Sequence, residues 1–201
     1  MIFTETSLAG AFVVDPDVRI DNRGLFARTF CQDEFVARGL DPLVVQANVS
    51  FNHRKGTVRG MHFQFPPAAE TKLVRCTRGA VLDVIVDLRP ESPTFLEHTA
   101  VELSADNRRS LYVPKRFAHG YQVLEDETEV TYLTSQDYAP QYEGGLAYDD
   151  AGLGIKWPLA VTEMSPKDRA WPPLIEAGAS IRARMALAPV AALALGNGGH
   201  G

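Results

Sequence analysis

The sequence predicts a mainly β protein, a sandwich or a barrel of short strands, on two observations. Apolar runs rich in β-branched residues recur between residues 44 and 135, and clusters of Gly, Pro, Asn and Asp separate them. Short strands at such close spacing are typical of sandwiches and barrels. The apolar runs cover residues 44–45, 73–74, 80–88, 99–103, 110–113 and 129–133.

Outside these runs, the chain predicts little regular structure. Residues 32–39 predict a short helix, with two acidic residues in its first turn and Gly39 at its end. Residues 137–175 are rich in proline and are expected to cover the barrel as loops and turns. Residues 176–201 are rich in Ala and Gly and are expected to be a poorly packed tail without a role in the chemistry. We therefore predict one domain over residues 1–175, followed by a tail over residues 176–201.

Composition and charge narrow the class of protein. The chain has 201 residues, of which 45% are hydrophobic and 22% charged, as in one globular domain with a core. Its net charge of −5 argues against a nucleic-acid partner, but an anionic small ligand stays open. We expect no signal peptide, because residues 1–10 contain Glu5 and no basic segment before an apolar run. We expect no membrane span, because the longest apolar stretch, near residues 185–195, is too short. Cys31 and Cys76 form no CxxC pair, which favours two reduced thiols and a cytoplasmic location.

The predicted strand over residues 80–88 carries two carboxylates among apolar side chains. Because side chains alternate along a strand, Asp83 and Asp87 share a face with Val81 and Ile85. Burying an unpartnered carboxylate is costly. Asp83 therefore either lines a wet cavity or has a dedicated partner, unless this face of the strand is exposed.

Other polar side chains pose the same question. The alternation of side chains places Lys72 and Tyr132 on apolar strand faces, although a lysine there can also extend its charged end to solvent. His62 lies nearby in the chain, within the segment RGMHFQ of residues 59–64. With Asp83, these residues predict a barrel interior that holds a histidine, a lysine, an aspartate and a tyrosine. Such a set is typical of proton-transfer chemistry.

A metal site is the alternative interpretation of the histidines. His62, Glu70 and His119 contain the two imidazoles and one carboxylate of a facial triad. Metal-binding barrels often have a second histidine two residues after the first, and here that position holds Gln64. The missing histidine disfavours a metal site but leaves it open.

Eight segments, in order along residues 2–174, match one known family. They are DNRGLF (21–26), QAN (46–48), GTVRGMHFQ (56–64), KLVRC (72–76), DVIVDLR (83–89), SPT (92–94), FAHG (117–120) and SPKD (165–168). On these segments, the chain resembles the dTDP-4-dehydrorhamnose 3,5-epimerases. The resemblance implies a cupin-like jelly-roll β-barrel with short peripheral helices.

The resemblance also implies a reaction and its catalytic residues. The substrate would be a nucleotide-linked 4-keto-6-deoxyhexose, whose C4 carbonyl acidifies the C3 and C5 protons, so that no metal or redox cofactor is needed. In dTDP-4-dehydro-6-deoxyglucose, inversion at both centres gives dTDP-4-dehydrorhamnose. His62 would remove the proton while Asp168 holds its imidazole. Lys72 would stabilise the enolate oxygen, and Tyr132 would return a proton to the opposite face.

A substrate shell and a homodimer follow from the same resemblance. Arg23, Arg59 and His119 would bind the diphosphate, Tyr138 would stack on the base, and Arg23 and Phe26 would reach across a two-fold axis. The complete implied set is Arg23, Phe26, Gln46, Asn48, Arg59, His119, Tyr138, Glu143 and Lys167.

The alternation of side chains puts Arg59 and His62 on opposite faces of their strand. Both can face one cavity only if the strand contains a bulge. Gly60 is a suitable position for that bulge.

The chain departs from the family pattern at three arginines. Arg28 stands where glutamate is usual, Arg19 where an aromatic residue is common, and Arg116 where glycine often precedes the FAHG segment. The nucleotide and the sugar therefore stay open. Besides the 3,5-epimerase, three alternatives remain: an epimerase of C3 or C5 alone on another nucleotide sugar, a metal-dependent cupin enzyme using His62, Glu70 and His119, and a catalytically silent sugar-binding barrel.

Overall fold

The computed structural model describes residues 1–187, and residues 188–201 of the predicted tail lie outside the described part. Within residues 1–187, the chain forms thirteen strands, three α-helices and one 3₁₀ helix. The strands are β1 (Ile2–Glu5), β2 (Phe12–Asp15), β3 (Arg19–Asp21), β4 (Gly24–Phe26), β5 (Gln46–Asn52), β6 (Val58–Gln64), β7 (Lys72–Arg78), β8 (Ala80–Asp87), β9 (His98–Ser104), β10 (Ser110–Val113), β11 (Phe117–Val123), β12 (Thr128–Thr134) and β13 (Glu143–Gly145). The helices are α1 (Gln32–Val36), the 3₁₀ helix Pro140–Tyr142, α2 (Pro166–Arg169) and α3 (Leu174–Met185).

Two antiparallel sheets form the barrel. One has the strand order β1-β2-β10-β7-β12-β5, the other has the order β13-β6-β11-β8-β9, and β3 and β4 form a separate hairpin. The interior core contains side chains of both large sheets, among them Val74 and Val130 from the first and Ile85 and Val123 from the second. The predicted mainly β architecture is confirmed.

The alternation predicted for β8 is confirmed. Val84 and Val86 pack on the outer face of their sheet, whereas Val81 and Ile85 pack in the interior. Asp83 and Asp87 are fully buried. Asp83 accepts a hydrogen bond from His119. The structure thus gives this buried carboxylate a dedicated partner.

Asp87 is held by a separate set of donors. Arg89 binds both of its carboxylate oxygens, at 2.8 Å from Nε and 2.7 Å from Nη2, and the Thr94 hydroxyl donates a third bond at 2.8 Å. Burial alone would raise the pKa of Asp87, but these hydrogen bonds hold it below its ordinary value. The carboxylate is therefore charged and fully paired at neutral pH.

We expect Asp87→Asn to destabilise the fold by about 3 kcal/mol at pH 7, because it leaves the largely buried Arg89 charge without its partner. Since the pKa of Asp87 is lower in the folded state, its contribution is present above about pH 4 and is lost as the pH falls through the folded-state value. Urea unfolding at pH 7 and pH 3 measures this, with exposed Asp17→Asn as the control. A difference between wild type and Asp87→Asn that does not change with pH would contradict it.

The bulge predicted at Gly60 is confirmed. In the pairing of β6 with β11, His62 lies opposite His119 and Arg59 lies opposite Tyr121, so β6 contains one extra residue. Gly60 has a φ of +127°, and a Cβ atom there would lie 2.5 Å from the Cα of Gly120. Only glycine fits this conformation and this close approach.

Helix α1 (Gln32–Val36) begins where the sequence predicted a helix, and turns follow it up to Gly39. Its Phe35 is buried against the outer face of the six-stranded sheet, beside Val14, Leu73 and Tyr112. No helix within residues 1–187 has the length and apolarity needed to cross a membrane.

Helix α3 (Leu174–Met185) corrects the prediction of a poorly packed segment from residue 176. Ile181 and Met185 are buried in the apolar cluster on the outer face of the five-stranded sheet. The Arg116 guanidinium donates a hydrogen bond to the Met185 carbonyl, and the Arg184 guanidinium lies 3.4 Å from the Phe65 ring centroid. The prediction was therefore wrong for residues 176–185, because four apolar residues at helical spacing give this segment a buried face. They are Leu174, Ala177, Ile181 and Met185.

Candidate active site

One cavity of about 260 Å³ opens between the two large sheets. His62 enters it from β6 of the five-stranded sheet, whereas Lys72 and Tyr132 enter it from β7 and β12 of the six-stranded sheet. The structure thus brings together three of the four predicted catalytic residues, and the fourth, Asp168, contacts His62. The cavity is lined by Gln46, Asn48, His62, Phe63, Gln64, Glu70, Lys72, Tyr132, Thr134, Tyr138 and Glu143.

His62 and Asp168 form an imidazole–carboxylate pair. The His62 Nε2 lies 2.6 Å from Asp168 Oδ1, and the backbone N–H of Gly60 donates to Asp168 Oδ2 at 3.3 Å. Burial alone would raise the pKa of Asp168, but these hydrogen bonds, that of His62 above all, hold it below its ordinary value. A charged Asp168 requires the proton on Nε2, which leaves Nδ1 of the neutral imidazole as the proton acceptor.

The position of Asp168 is set by the start of helix α2. Ser165 is the N-cap, and its Oγ accepts a hydrogen bond from the Asp168 backbone N–H at 3.0 Å. Pro166 follows at the first helical position, which suits its fixed φ. No helix was predicted at SPKD from the sequence, although serine followed by proline and then an acidic residue is a recognisable start of a helix.

Lys72 lies deep in the cavity beside Glu70. Its Nζ is 3.0 Å from Glu70 Oε1, and both side chains are largely buried. Gln64 Nε2 donates to the other Glu70 oxygen at 3.3 Å. Glu70 was predicted only as a metal ligand, and the structure pairs it with Lys72 instead.

A second polar group lies at the mouth of the cavity. Glu143 accepts hydrogen bonds from Lys167 Nζ at 2.5 Å and from the Tyr138 hydroxyl at 3.0 Å. The hydrogen bond to Glu143 raises the pKa of Lys167. Tyr138 is more than half exposed, so its ring is free to receive a planar group.

Arg59 lies in a second cavity that also contacts the base. This cavity, of about 460 Å³, is lined by Arg59, His62, Lys167 and Asp168 together with residues 57–58 and 163–165. His62 therefore stands between two cavities, one with Lys72 and Tyr132 and one with Arg59. The bulge at Gly60 is what allows Arg59 and His62 to share the second cavity.

His119 lies inside the barrel rather than along the wall of either cavity. It is opposite His62 in the strand pairing, and its Nε2 is 2.7 Å from Asp83 Oδ1. It is 8% exposed, and Asp83 is fully buried. Two imidazole–carboxylate pairs thus stand on neighbouring strands, and the contact of His119 with diphosphate stays a prediction.

Arg23 and Phe26 do not reach the site within one chain. Both lie on the hairpin of β3 and β4, where the Arg23 side chain pairs with Asp21 at 2.6 Å and Phe26 is 73% exposed. Neither residue lines either of the two cavities that His62 contacts, so their role in the site stays a prediction.

The residues of the alternative metal site each have a different partner. His62 contacts Asp168, Glu70 contacts Lys72, and His119 contacts Asp83. Within residues 1–187, no group of three or more His, Cys, Asp or Glu side chains is arranged to hold a metal ion. The structure thus does not bring His62, Glu70 and His119 together as one set of ligands.

Trp171 was missed by sequence reasoning. Its ring lies edge-on to the His62 imidazole, with the centroids 6.4 Å apart, and it packs directly on Gly145. A tryptophan beside the base has no signature in the sequence other than its closeness to Asp168.

Two of the three unusual arginines have clear partners. Arg28 pairs with Glu34 of α1 at 3.0 Å. Arg116, which has a φ of +64°, binds Glu91 at 2.5 Å as well as the carbonyl at the end of α3. Arg19 lies on the exposed strand β3, and nothing in the structure explains it.

The fold and this site define an acid–base enzyme on a β-barrel. A general base with its carboxylate, a buried lysine and a tyrosine surround one cavity, which is the arrangement that proton abstraction next to a carbonyl requires.

Comparison with known proteins identifies the family. The family model described as dTDP-4-dehydrorhamnose 3,5-epimerase matches residues 5–176, and the chain belongs to this family. A dTDP-4-dehydrorhamnose 3,5-epimerase from Methanothermobacter thermautotrophicus is 45% identical over 177 residues, which cover 87% of this chain and 95% of the relative. These matches confirm the predicted resemblance and the class of enzyme.

Two solved structures show the range of the family. The enzyme from Bacillus anthracis, with TDP and PPi bound, is 40% identical, has a TM-score of 0.83, and aligns over 86% of this chain and 99% of its own. A 3′-monoepimerase from Streptomyces bikiniensis in complex with dTDP-quinovose is 32% identical, has a TM-score of 0.80, and aligns over 90% and 98%. The predicted cupin-like jelly-roll barrel is thereby confirmed.

Proposed function

We propose that this protein epimerises dTDP-4-dehydro-6-deoxyglucose at C3 and C5 to give dTDP-4-dehydrorhamnose. The observation that carries the proposal is the placement of His62 and Tyr132 on opposite sheets of one cavity, with Lys72 beside them. Membership of the 3,5-epimerase family and a relative of that name at 45% identity support the substrate.

The proposed mechanism uses four side chains. Nδ1 of His62 takes the proton from the carbon next to the C4 carbonyl, and Asp168 stabilises the resulting imidazolium. The Lys72 ammonium stabilises the enolate oxygen. Tyr132 then donates its hydroxyl proton to the same carbon from the other side. One proton leaves and one is added, so the centre is inverted without a change in composition.

The two-sheet arrangement explains why protonation inverts the carbon. His62 is on the five-stranded sheet and Tyr132 is on the six-stranded sheet, which packs against it across the cavity. A sugar ring held between the sheets has one face towards the base and one towards the acid. Inversion then follows from the geometry of the barrel.

The proposed substrate shell continues from the cavity to its mouth. Gln46 and Asn48 line the cavity, Glu143 and Lys167 are joined at its mouth, and Tyr138 offers a ring for the base. Arg59 and His119 would bind the diphosphate, because a guanidinium and an imidazole supply several N–H donors to phosphate oxygens.

We also propose a homodimer in which Arg23 and Phe26 complete the partner's site. Ile20 and Phe26 of the β3–β4 hairpin are 81% and 73% exposed, and Val49 on the outer face of β5 is 63% exposed. Such apolar exposure favours a protein partner. Mixing the separately impaired variants His62→Ala and Arg23→Ala should restore activity through hybrid dimers, and no recovery after subunit exchange would contradict shared sites.

The two free cysteines agree with a reducing compartment, and we propose a cytoplasmic location on this ground.

The proposed reaction is tested with dTDP-4-dehydro-6-deoxyglucose in deuterated buffer, followed by NMR and a coupled reductase assay. Deuterium at both C3 and C5 supports the 3,5-epimerase, and deuterium at one centre supports a monoepimerase. No incorporation by well-folded protein would refute both. Elemental analysis that finds a stoichiometric first-row metal would favour the alternative metal-dependent enzyme.

Tyr132→Phe is expected to keep hydrogen exchange but to lower net inversion by about 100-fold, because the base remains while the opposite acid is lost. The ratio of deuterium incorporation to product formation measures this effect. Tyr148→Phe, at a tyrosine outside the cavity, is the control. If Tyr132→Phe lowers exchange and inversion equally, Tyr132 is not the separate acid.

A further inference from the structure

Asn52 is a buried amide at the end of β5, and its orientation is fixed by the backbone. Its Nδ2 donates to the Thr128 carbonyl at 3.2 Å and to the Ser50 carbonyl at 3.4 Å. Because both neighbours of Nδ2 are acceptors, the side-chain oxygen must point the other way. That oxygen accepts a hydrogen bond from Arg59 Nε at 2.8 Å.

Arg59 is held along one edge of its guanidinium. Besides the bond from Nε to Asn52, Nη2 donates to the Phe51 carbonyl at 3.3 Å. A guanidinium has five N–H donors, so these two bonds leave three for a ligand. The side chain is exposed, and without Asn52 it would sample many rotamers.

Arg59 and the catalytic base line the same cavity. Arg59 shares a cavity of about 460 Å³ with His62, Lys167 and Asp168. It also borders an adjoining cavity of about 490 Å³, which Asn52 lines as well. Because Arg59 and His62 line the same cavity, a diphosphate attached to a sugar at His62 is within the space that this guanidinium borders.

From this geometry, we propose that Asn52 is a positioning residue that orients Arg59 towards the diphosphate and so sets the affinity for the nucleotide sugar. The proposal rests on the proposed function, since it takes the substrate to be a nucleoside diphosphate sugar. Asn52 acts through Arg59 and does not itself touch the substrate. Ordering one long side chain on binding costs enough to weaken binding about tenfold, and Asn52 removes that cost beforehand.

A buried tyrosine supports Asn52 from the barrel side. The Tyr121 hydroxyl donates to Ser50 Oγ at 2.9 Å, and Tyr121 lies opposite Arg59 in the strand pairing. The side chains of Ser50 and Asn52 lie on the same face of β5. The end of this strand is therefore held at two positions, with Ser50 bound to Tyr121 and Asn52 bound to Arg59.

Asn52→Ala tests the proposal. We expect it to raise the KM for dTDP-4-dehydro-6-deoxyglucose and the Kd for TDP, measured by calorimetry, about tenfold while kcat changes less than twofold. Gln122→Ala is the matched control, because Gln122 is also a buried amide, whose two hydrogen bonds go to the backbone of Leu159. It should lower Tm without changing the Kd for TDP.

The double variant separates positioning from a general loss of packing. In an Arg59→Ala background, Asn52→Ala should not weaken TDP binding further, because the side chain that it orients is absent. Full additivity of the two substitutions, or an unchanged Kd in the single variant, would overturn the proposal. Tight TDP binding without epimerisation by wild type would refute the proposed reaction and leave this inference intact.

Discussion

His62→Ala is expected to lower kcat for epimerisation by about 10⁴-fold, and to abolish deuterium exchange at C3 and C5. The imidazole is the group placed to take the proton, and general-base catalysis contributes up to this factor. Asp168 then loses the hydrogen bond that does most to lower its pKa, so part of its charge is uncompensated. The measurement is the initial rate of exchange by NMR.

The control for this variant is another histidine of the same barrel. His98 lies on β9, outside both cavities that His62 lines. His98→Ala should retain the wild-type rate. Exchange at the wild-type rate in His62→Ala would refute the assigned base.

Lys72→Met is expected to lower kcat by about 10³-fold, the second largest effect. A fixed positive charge beside the developing enolate is lost, and groups of this kind contribute 10²- to 10³-fold to kcat. Hydrogen exchange should fall by the same factor as net epimerisation, because both reactions pass through the enolate. The coupled reductase assay and the NMR exchange rate measure the two quantities.

Loss of Lys72 also leaves Glu70 without its partner, which would destabilise the fold. The double variant Lys72→Met/Glu70→Gln removes both charges and should recover Tm while kcat stays low. Lys115→Met removes a lysine that pairs with Asp41 at the surface and should change neither kcat nor KM. Recovery of kcat together with Tm would show that Lys72 acts on folding alone.

The alternation of side chains along strands and the conformational freedom of glycine predicted much of the barrel. The two faces of β8 follow from the order of its side chains, and the bulge follows from the conflict between Arg59 and His62. Both are local properties, because strand parity involves only neighbouring residues. For Asp83, the cost of burying a carboxylate left a wet cavity, a dedicated partner or an exposed face as the alternatives, and His119 as a partner was not predicted.

The pairs across the cavity could not be predicted from local properties. His62 and Asp168 are 106 positions apart, and only the resemblance placed them together. The pairing of Asn52 with Arg59 depends on which strands become neighbours, which periodicity does not determine. Helix α3 was missed for another reason. Its segment is rich in alanine and glycine and has few large apolar residues, so the helix becomes stable only when those residues pack on the five-stranded sheet.

The placement of His62 and Tyr132 on different sheets makes stereochemical fidelity a property of the hydrophobic core. The gap between the sheets is set by side chains such as Ile85, Val123 and Val130, none of which touches the cavity. A substitution that changes this gap alters the reach of the acid relative to the base. It would then shift the ratio of inverted product to sugar that is released without inversion. Substitutions in the interior core can therefore diversify the sugars that such barrels make.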